Sequence, residues 1–116
     1  MHTYKDLIVW QKALELVIKI YELTNHFPEE ERYGLVSQMR RAAVSIPSNI
    51  AEGKLRGSQK ECRQFFFIAL GSGGELETQI ELSKRLPKTS KLDYNEASGL
   101  LDEIMRMLNT LIGRHS

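Results

Sequence analysis

The chain has 116 residues, 41% apolar and 27% charged, with a formal net charge of +1. That length sets a single domain over residues 1–116 with one core, and the composition is ordinary for a globular fold. Near-neutrality excludes a global basic field, so contact with nucleic acid needs a local patch, and the single cysteine, Cys62, excludes an intrachain disulfide.

The start, Met1-His2-Thr3-Tyr4-Lys5-Asp6, has no apolar run of signal-peptide type. No stretch approaches the ~20 apolar residues that span a bilayer. A lone cysteine fits a reducing compartment. The expectation is a soluble cytoplasmic protein with no membrane contact.

The first helix is expected from Thr3 to about Asn25. Thr3 and Asp6 have the spacing of a capping box, in which each side chain satisfies an orphan backbone N–H. Leu7, Trp10, Leu14, Val17 and Tyr21 recur at steps of three and four and form its seam, with Ala13, Leu16, Ile20 and Leu23 beside it. Thr24 is the next seam position and is polar, so the stripe fades there. Trp10 on this seam reads as core. His26-Phe27-Pro28 breaks the helix. Pro28 suits the first position of the next, and Glu29, Glu30 and Glu31 favour its positive end.

The second helix is expected from Glu30 to Arg56, with a seam of Leu35, Met39, Ala42, Ile46, Ile50 and Gly53, and with Val36 and Ala43 alongside. Pro47 lies inside it. It removes the N–H that would bond the Ala43 carbonyl, which costs ~3 kcal/mol against alanine and predicts a kink. Ser45, Ser48 and Asn49 are placed to re-satisfy the freed backbone groups. The seam keeps phase across Pro47, which favours one kinked helix over two.

Gly57 ends this helix, and Ser58 with Glu61 forms a second capping-box spacing. The third helix is expected to reach Arg85 on a seam of Cys62, Phe66, Ala69, Gly73, Leu76, Ile80 and Ser83. Phe65, Phe67, Ile68 and Leu70 make its first half apolar on almost every side, which points to a subunit interface. Gly71-Ser72-Gly73-Gly74 resembles a phosphate loop only in composition. No strand precedes it and the seam runs through it, so close helix packing is the expected role. Leu86-Pro87-Lys88-Thr89-Ser90-Lys91 is a loop. Asp93 and Glu96 start the fourth helix, whose seam is Tyr94, Ala97, Leu101, Ile104, Leu108 and Leu111, supported by Leu100, Met105 and Ile112. Gly113 to Ser116 reads as a frayed tail. The pattern predicts an all-α, antiparallel up-down-up-down four-helix bundle with a proline-kinked second helix.

Three segments carry a family resemblance: Tyr4-Lys5-Asp6-Leu7 with Trp10-Gln11-Lys12-Ala13; Gln38 through Gly53; and Gly71-Ser72 with Glu75-Leu76-Glu77-Thr78-Gln79. Together they resemble the 23S rRNA intervening-sequence protein family, also labelled S23 ribosomal protein or four-helix bundle protein. The resemblance implies a bacterial four-helix bundle assembled as a ring, commonly a homopentamer. Some members are encoded inside insertions in the 23S rRNA gene. A distant relative, the accessory variability protein of diversity-generating retroelements, is a pentameric barrel that binds a reverse transcriptase and nucleic acid. The chain departs from the family pattern at Cys62, where an aromatic is usual, and at Gly73, where a larger apolar residue is usual.

Three functional readings follow. Arg40, Arg41, Lys54, Arg56, Lys60 and Arg63 against Glu52 and Glu61 leave a local positive surplus around the second helix, which ring symmetry would repeat as a band able to contact phosphates of RNA or another nucleic acid. The bland alternative is a solvated face, and Arg56 lies four residues after Glu52, an ion-pair spacing. The second reading is a structural or adaptor oligomer for a protein partner, with Ser45, Pro47, Asn49, Glu52, Phe65 and Phe67 serving the kink and the subunit contacts. The third, an enzyme, is disfavoured. His2, His26 and His115 have no paired spacing and no Glu-x-x-His occurs. Cys62 has no histidine partner and reads as a small apolar residue. Glu75, Glu77 and Glu81 read as a solvated face. No cofactor, metal or small-molecule substrate is expected.

Overall fold

The computed structural model describes residues 3–114, and these form four α-helices with no strand among them. We number them α1 (Ile8–Thr24), α2 (Ser37–Leu55), α3 (Gln59–Arg85) and α4 (Asn95–Arg114). His2 and His115 lie outside the described residues. No helix of the described residues is long and apolar enough to cross a membrane.

Side-chain pairs fix how the helices lie. Lys12 reaches Glu103 at 3.1 Å and Lys19 reaches Glu96 at 3.0 Å, so α1 and α4 run in opposite senses. Ser83 meets Met39, and Ser72 donates to Ser45 at 2.8 Å, which opposes α2 and α3. Arg63 donates to the Ile112 carbonyl and Gly73 sits against Met105, which opposes α3 and α4. α2 packs most extensively on α3, and α1 and α3 stand on one diagonal of the bundle with α2 and α4 on the other. One core fills the centre, with Leu16, Ile20, Met39, Ile46, Ile50, Phe66, Leu76, Leu101, Ile104 and Leu108 fully buried.

α1 begins later than its capping signal suggests. Thr3 does cap, accepting from the Lys5 N–H at 3.1 Å while Asp6 accepts from the Thr3 N–H at 2.9 Å, but the element capped is a 3-10 turn over Tyr4–Asp6. Leu7 is extended (φ −72, ψ 127), so the α-helix starts at Ile8. Its inward face is Val9, Ala13, Leu16, Ile20 and Thr24 rather than the seam through Leu7, Leu14 and Tyr21. Trp10 is half-buried at the edge of the core and meets the Tyr4 ring edge-on at 5.4 Å. Thr24 is buried, not a fading edge: its hydroxyl donates to the Ile20 carbonyl at 2.6 Å and so enters the core already satisfied.

The approach to α2 also differs from a continuous helix beginning at Glu30. Pro28 caps a 3-10 turn over Glu29–Glu31 in an extended conformation, outside the helix rather than at its first position. A π turn over Arg32–Val36 follows, and Gly34 leaves helical geometry there (φ −111, ψ −108). Thus the break lies at Gly34, and α2 runs as one α-helix through the buried Pro47. The Asn49 amide donates to the Ser45 carbonyl at 2.8 Å and to its hydroxyl at 2.9 Å. The carbonyl that Pro47 deprives is that of Ala43, so Asn49 serves a different group from the one expected.

At the far end, Ser58 accepts from the Glu61 N–H at 3.2 Å and starts α3. The loop after Arg85 folds about Thr89, whose hydroxyl donates to the Ser83 carbonyl at 2.7 Å and whose carbonyl accepts from the Tyr94 hydroxyl at 2.7 Å. Asp93 accepts from the Asn95 N–H at 2.9 Å, but Glu96 turns to Lys19 rather than back to the cap. α4 keeps its helix to Arg114 and buries Ile112 where Leu111 was expected.

The glycines divide by what a Cβ would meet. At Gly53 it would stand 3.1 Å from the Cys62 carbonyl oxygen and 3.1 Å from the Phe65 Cβ, so this glycine sets the α2–α3 spacing. At Gly73 it would press only on the flexible Met105 side chain, and at Gly71 and Gly74 it would meet nothing. Close packing therefore explains Gly53 and Gly73 but not the whole glycine cluster. Gly53→Ala is expected to lose about 1–2 kcal/mol of stability, overpacking outweighing the helix gain, while Gly74→Ala is expected to gain about 0.5–1 kcal/mol. Urea unfolding measures both. A stabilised Gly53→Ala variant would refute the close approach.

Candidate functional site

The six basic residues form two separate groups. Arg40 and Lys54 are 14 residues apart, ~21 Å along α2. Arg40 sits at the end where α1 finishes. Its Nε donates to the Thr24 hydroxyl at 2.9 Å, its guanidinium reaches Asn25 at 3.0 Å and the Tyr21 carbonyl at 3.4 Å, and it lies 4.4 Å over the Tyr21 ring. Arg41 bonds Gln38 at 2.8 Å and Glu75 of α3 at 3.2 Å. Both arginines are engaged within the chain.

The second group surrounds the α2–α3 turn. Arg56 pairs with Glu52 at 2.7 Å and covers the Phe65 ring at 4.8 Å. Arg63 covers the Phe67 ring at 4.9 Å and donates to the Ile112 carbonyl at 3.3 Å, closing the last turn of α4. Lys54 and Lys60 are exposed, with no ion pair among the described residues. The unpaired members of the six thus stand at one end of the bundle, and the continuous band along α2 does not form within a single chain.

Cys62 is buried on the inner face of α3. Burial pushes its thiol above the ordinary range, and the charge of Lys54 opposes this only in part. It packs as a small apolar side chain, and its burial favours the protonated thiol. Among the described residues, no three His, Cys, Asp or Glu side chains gather as metal ligands would.

Of the residues assigned to assembly, Ser45 accepts from Asn49 within α2 and from Ser72 of α3, and Pro47 is buried against the core. Phe65 is half-buried, and Phe67 is 45% exposed. The open apolar surface is broader than the third helix. α1 exposes Ile8, Leu14, Ile18 and Tyr21, α2 exposes Val44 and Leu55, α3 exposes Phe67, Ile68 and Leu82, and α4 exposes no large apolar residue among those described. Ile8 and Ile18, off the seam read from the sequence, were the available signal for the α1 face.

Four helices about one core, with three of them still apolar outside, define a small helical bundle. The model of the 23S rRNA-intervening sequence protein family matches residues 5–110, and the chain belongs to that family. No curated protein matches it.

Proposed function

We propose that this chain is a non-enzymatic, self-assembling scaffold, with five copies in a ring as the favoured arrangement and the cytoplasm as its compartment. The observation that carries the reading is the exposure of large apolar residues on α1, α2 and α3 against their absence from α4 among the described residues. Exposed apolar surface of this extent marks interaction sites on soluble proteins. The count of five rests on the family resemblance, and a lone, buried cysteine fits a reducing compartment. Static light scattering at micromolar concentration tests it: a multiple of the chain mass is expected, and the mass of a single chain overturns it.

A second reading, contact with RNA or another nucleic acid, is favoured by Lys54 and Lys60 standing unpaired beside Arg56 and Arg63 at the α2–α3 turn. Ring symmetry would repeat that end as a circle of positive charge. Lys54→Ala with Lys60→Ala is expected to weaken single-stranded RNA binding and to reduce the slope of log K against log salt by about 1.4, ~0.7 for each lysine that no longer neutralises a phosphate. Unchanged affinity, or no binding at low salt, would leave an adaptor for a protein partner as the surviving function.

A further inference from the structure

The exposed faces of α1 and α3 lie on opposite sides of the bundle, because these two helices occupy one diagonal. Both run opposite to α4, and so parallel to each other. Their relative height can be read through α4. Lys12 and Lys19 are level with Glu103 and Glu96, and Gly73 is level with Met105. Both lysines, taken with the Gly73–Met105 contact, give an offset of 63 residues between α1 and α3, and taken with the Arg63–Ile112 bond they give 60, a difference of less than one helical turn. Ile8 therefore stands within about one turn of the height of Gly71, Ile18 within about one turn of Leu82, and Glu22 within about one turn of Arg85.

These residues are complementary. Ile8 is 60% exposed, and Gly71 leaves open space where a side chain would stand, so a large residue can approach the α3 backbone there. Ile18 and Leu82 are both exposed apolar side chains. Glu22 and Arg85 are opposite charges whose partners within the chain are loose, at 3.6 Å to Lys19 and 3.7 Å to Glu81. We infer that a second copy of this chain docks here: Ile8, Ile18 and Glu22 on α1 of one copy pack against Gly71, Leu82 and Arg85 on α3 of the next, with the helices parallel. The inference rests on the self-assembly reading and adds its surfaces and register.

The contact is head-to-tail, joining unlike patches, so each copy keeps one patch of each kind free for a further copy. Val44 and Leu55 on α2 add apolar surface on one flank of both patches, while α4 adds none among the described residues.

The test uses the full chain. In a Cys62→Ser background, the double variant Ile18→Cys with Leu82→Cys, treated with a short bismaleimide cross-linker, is expected to give a ladder of covalent species on a denaturing gel. Each single cysteine variant is expected to stay at the mass of one chain. In the otherwise unaltered protein, Gly71→Trp is expected to reduce the light-scattering mass to one chain while helical circular dichroism is kept. A monomeric unaltered protein overturns self-assembly and this inference together. An oligomer that yields no ladder, that links through Ile18→Cys alone, or that keeps its mass with Gly71→Trp overturns the α1-on-α3 contact and leaves self-assembly standing.

Discussion

Phe66→Ala is expected to lower the free energy of unfolding by about 3–5 kcal/mol, the largest effect of any single truncation in this core. Phe66 is 1% exposed and heads the chain's largest fully buried side chains. Its ring fills the narrow space where α2 comes closest to α3, with its Cδ1 3.3 Å from where a Cβ on Gly53 would stand. Removing the ring loses the transfer free energy of its carbons and leaves a cavity. Collapse is limited there, because Gly53 has no side chain to follow and the backbones are already close. Domains of this size carry roughly 5–15 kcal/mol in total, so the variant loses a large share of its stability.

The comparison that makes this informative is Phe67→Ala, one residue on. Phe67 is 45% exposed with Arg63 over its ring, and truncation there is expected to cost under about 1 kcal/mol in a dissociated chain. Urea unfolding at several protein concentrations separates the two, since a subunit contact makes the Phe67 effect concentration-dependent and a core contact does not. Equal losses at Phe66 and Phe67 would mean that α3 is rotated from the orientation described.

The helix periods were legible where one apolar stripe dominates. Cys62, Phe66, Ala69, Gly73, Leu76, Ile80 and Ser83 are the buried face of α3 residue for residue, and Ala97, Leu101, Ile104 and Leu108 the centre of that of α4. α1 was misread because it has apolar residues on both sides. Leu14, Val17 and Tyr21 make as good a three-four pattern as Ala13, Leu16 and Ile20, and only packing decides which turns inward. Local signals misplaced boundaries for a related reason. The Thr3–Asp6 capping box specifies a helical turn, but not whether that turn is 3-10 or continues past the extended Leu7. Gly34 gave no warning in a pattern that keeps its helical period. Charge was least legible: a run of arginines and lysines states a sum, and says nothing of which carboxylates, carbonyls and rings the fold brings to each.

Arg40→Ala is the sharpest test of that last point, with an expected loss of about 1.5–3 kcal/mol and no loss of RNA affinity per folded molecule. The Arg40 guanidinium meets the C-terminal end of α1, where the helix dipole favours a cation. It bonds Thr24, Asn25 and the Tyr21 carbonyl and stacks on the Tyr21 ring. Alanine removes all of these, and the Thr24 hydroxyl loses its donor while itself almost wholly buried. Arg40→Lys keeps the charge but not the planar fork, so it is expected to recover less than half of the loss. A surface arginine that served only phosphates would behave the other way round: stability unchanged in urea, affinity lower, and lysine an adequate substitute. Measuring unfolding and salt-titrated RNA binding on the same three proteins therefore distinguishes a clamp between α1 and α2 from a contact with nucleic acid. The clamp is favoured because each donor on Arg40 with a named acceptor here is one that a phosphate would have to displace.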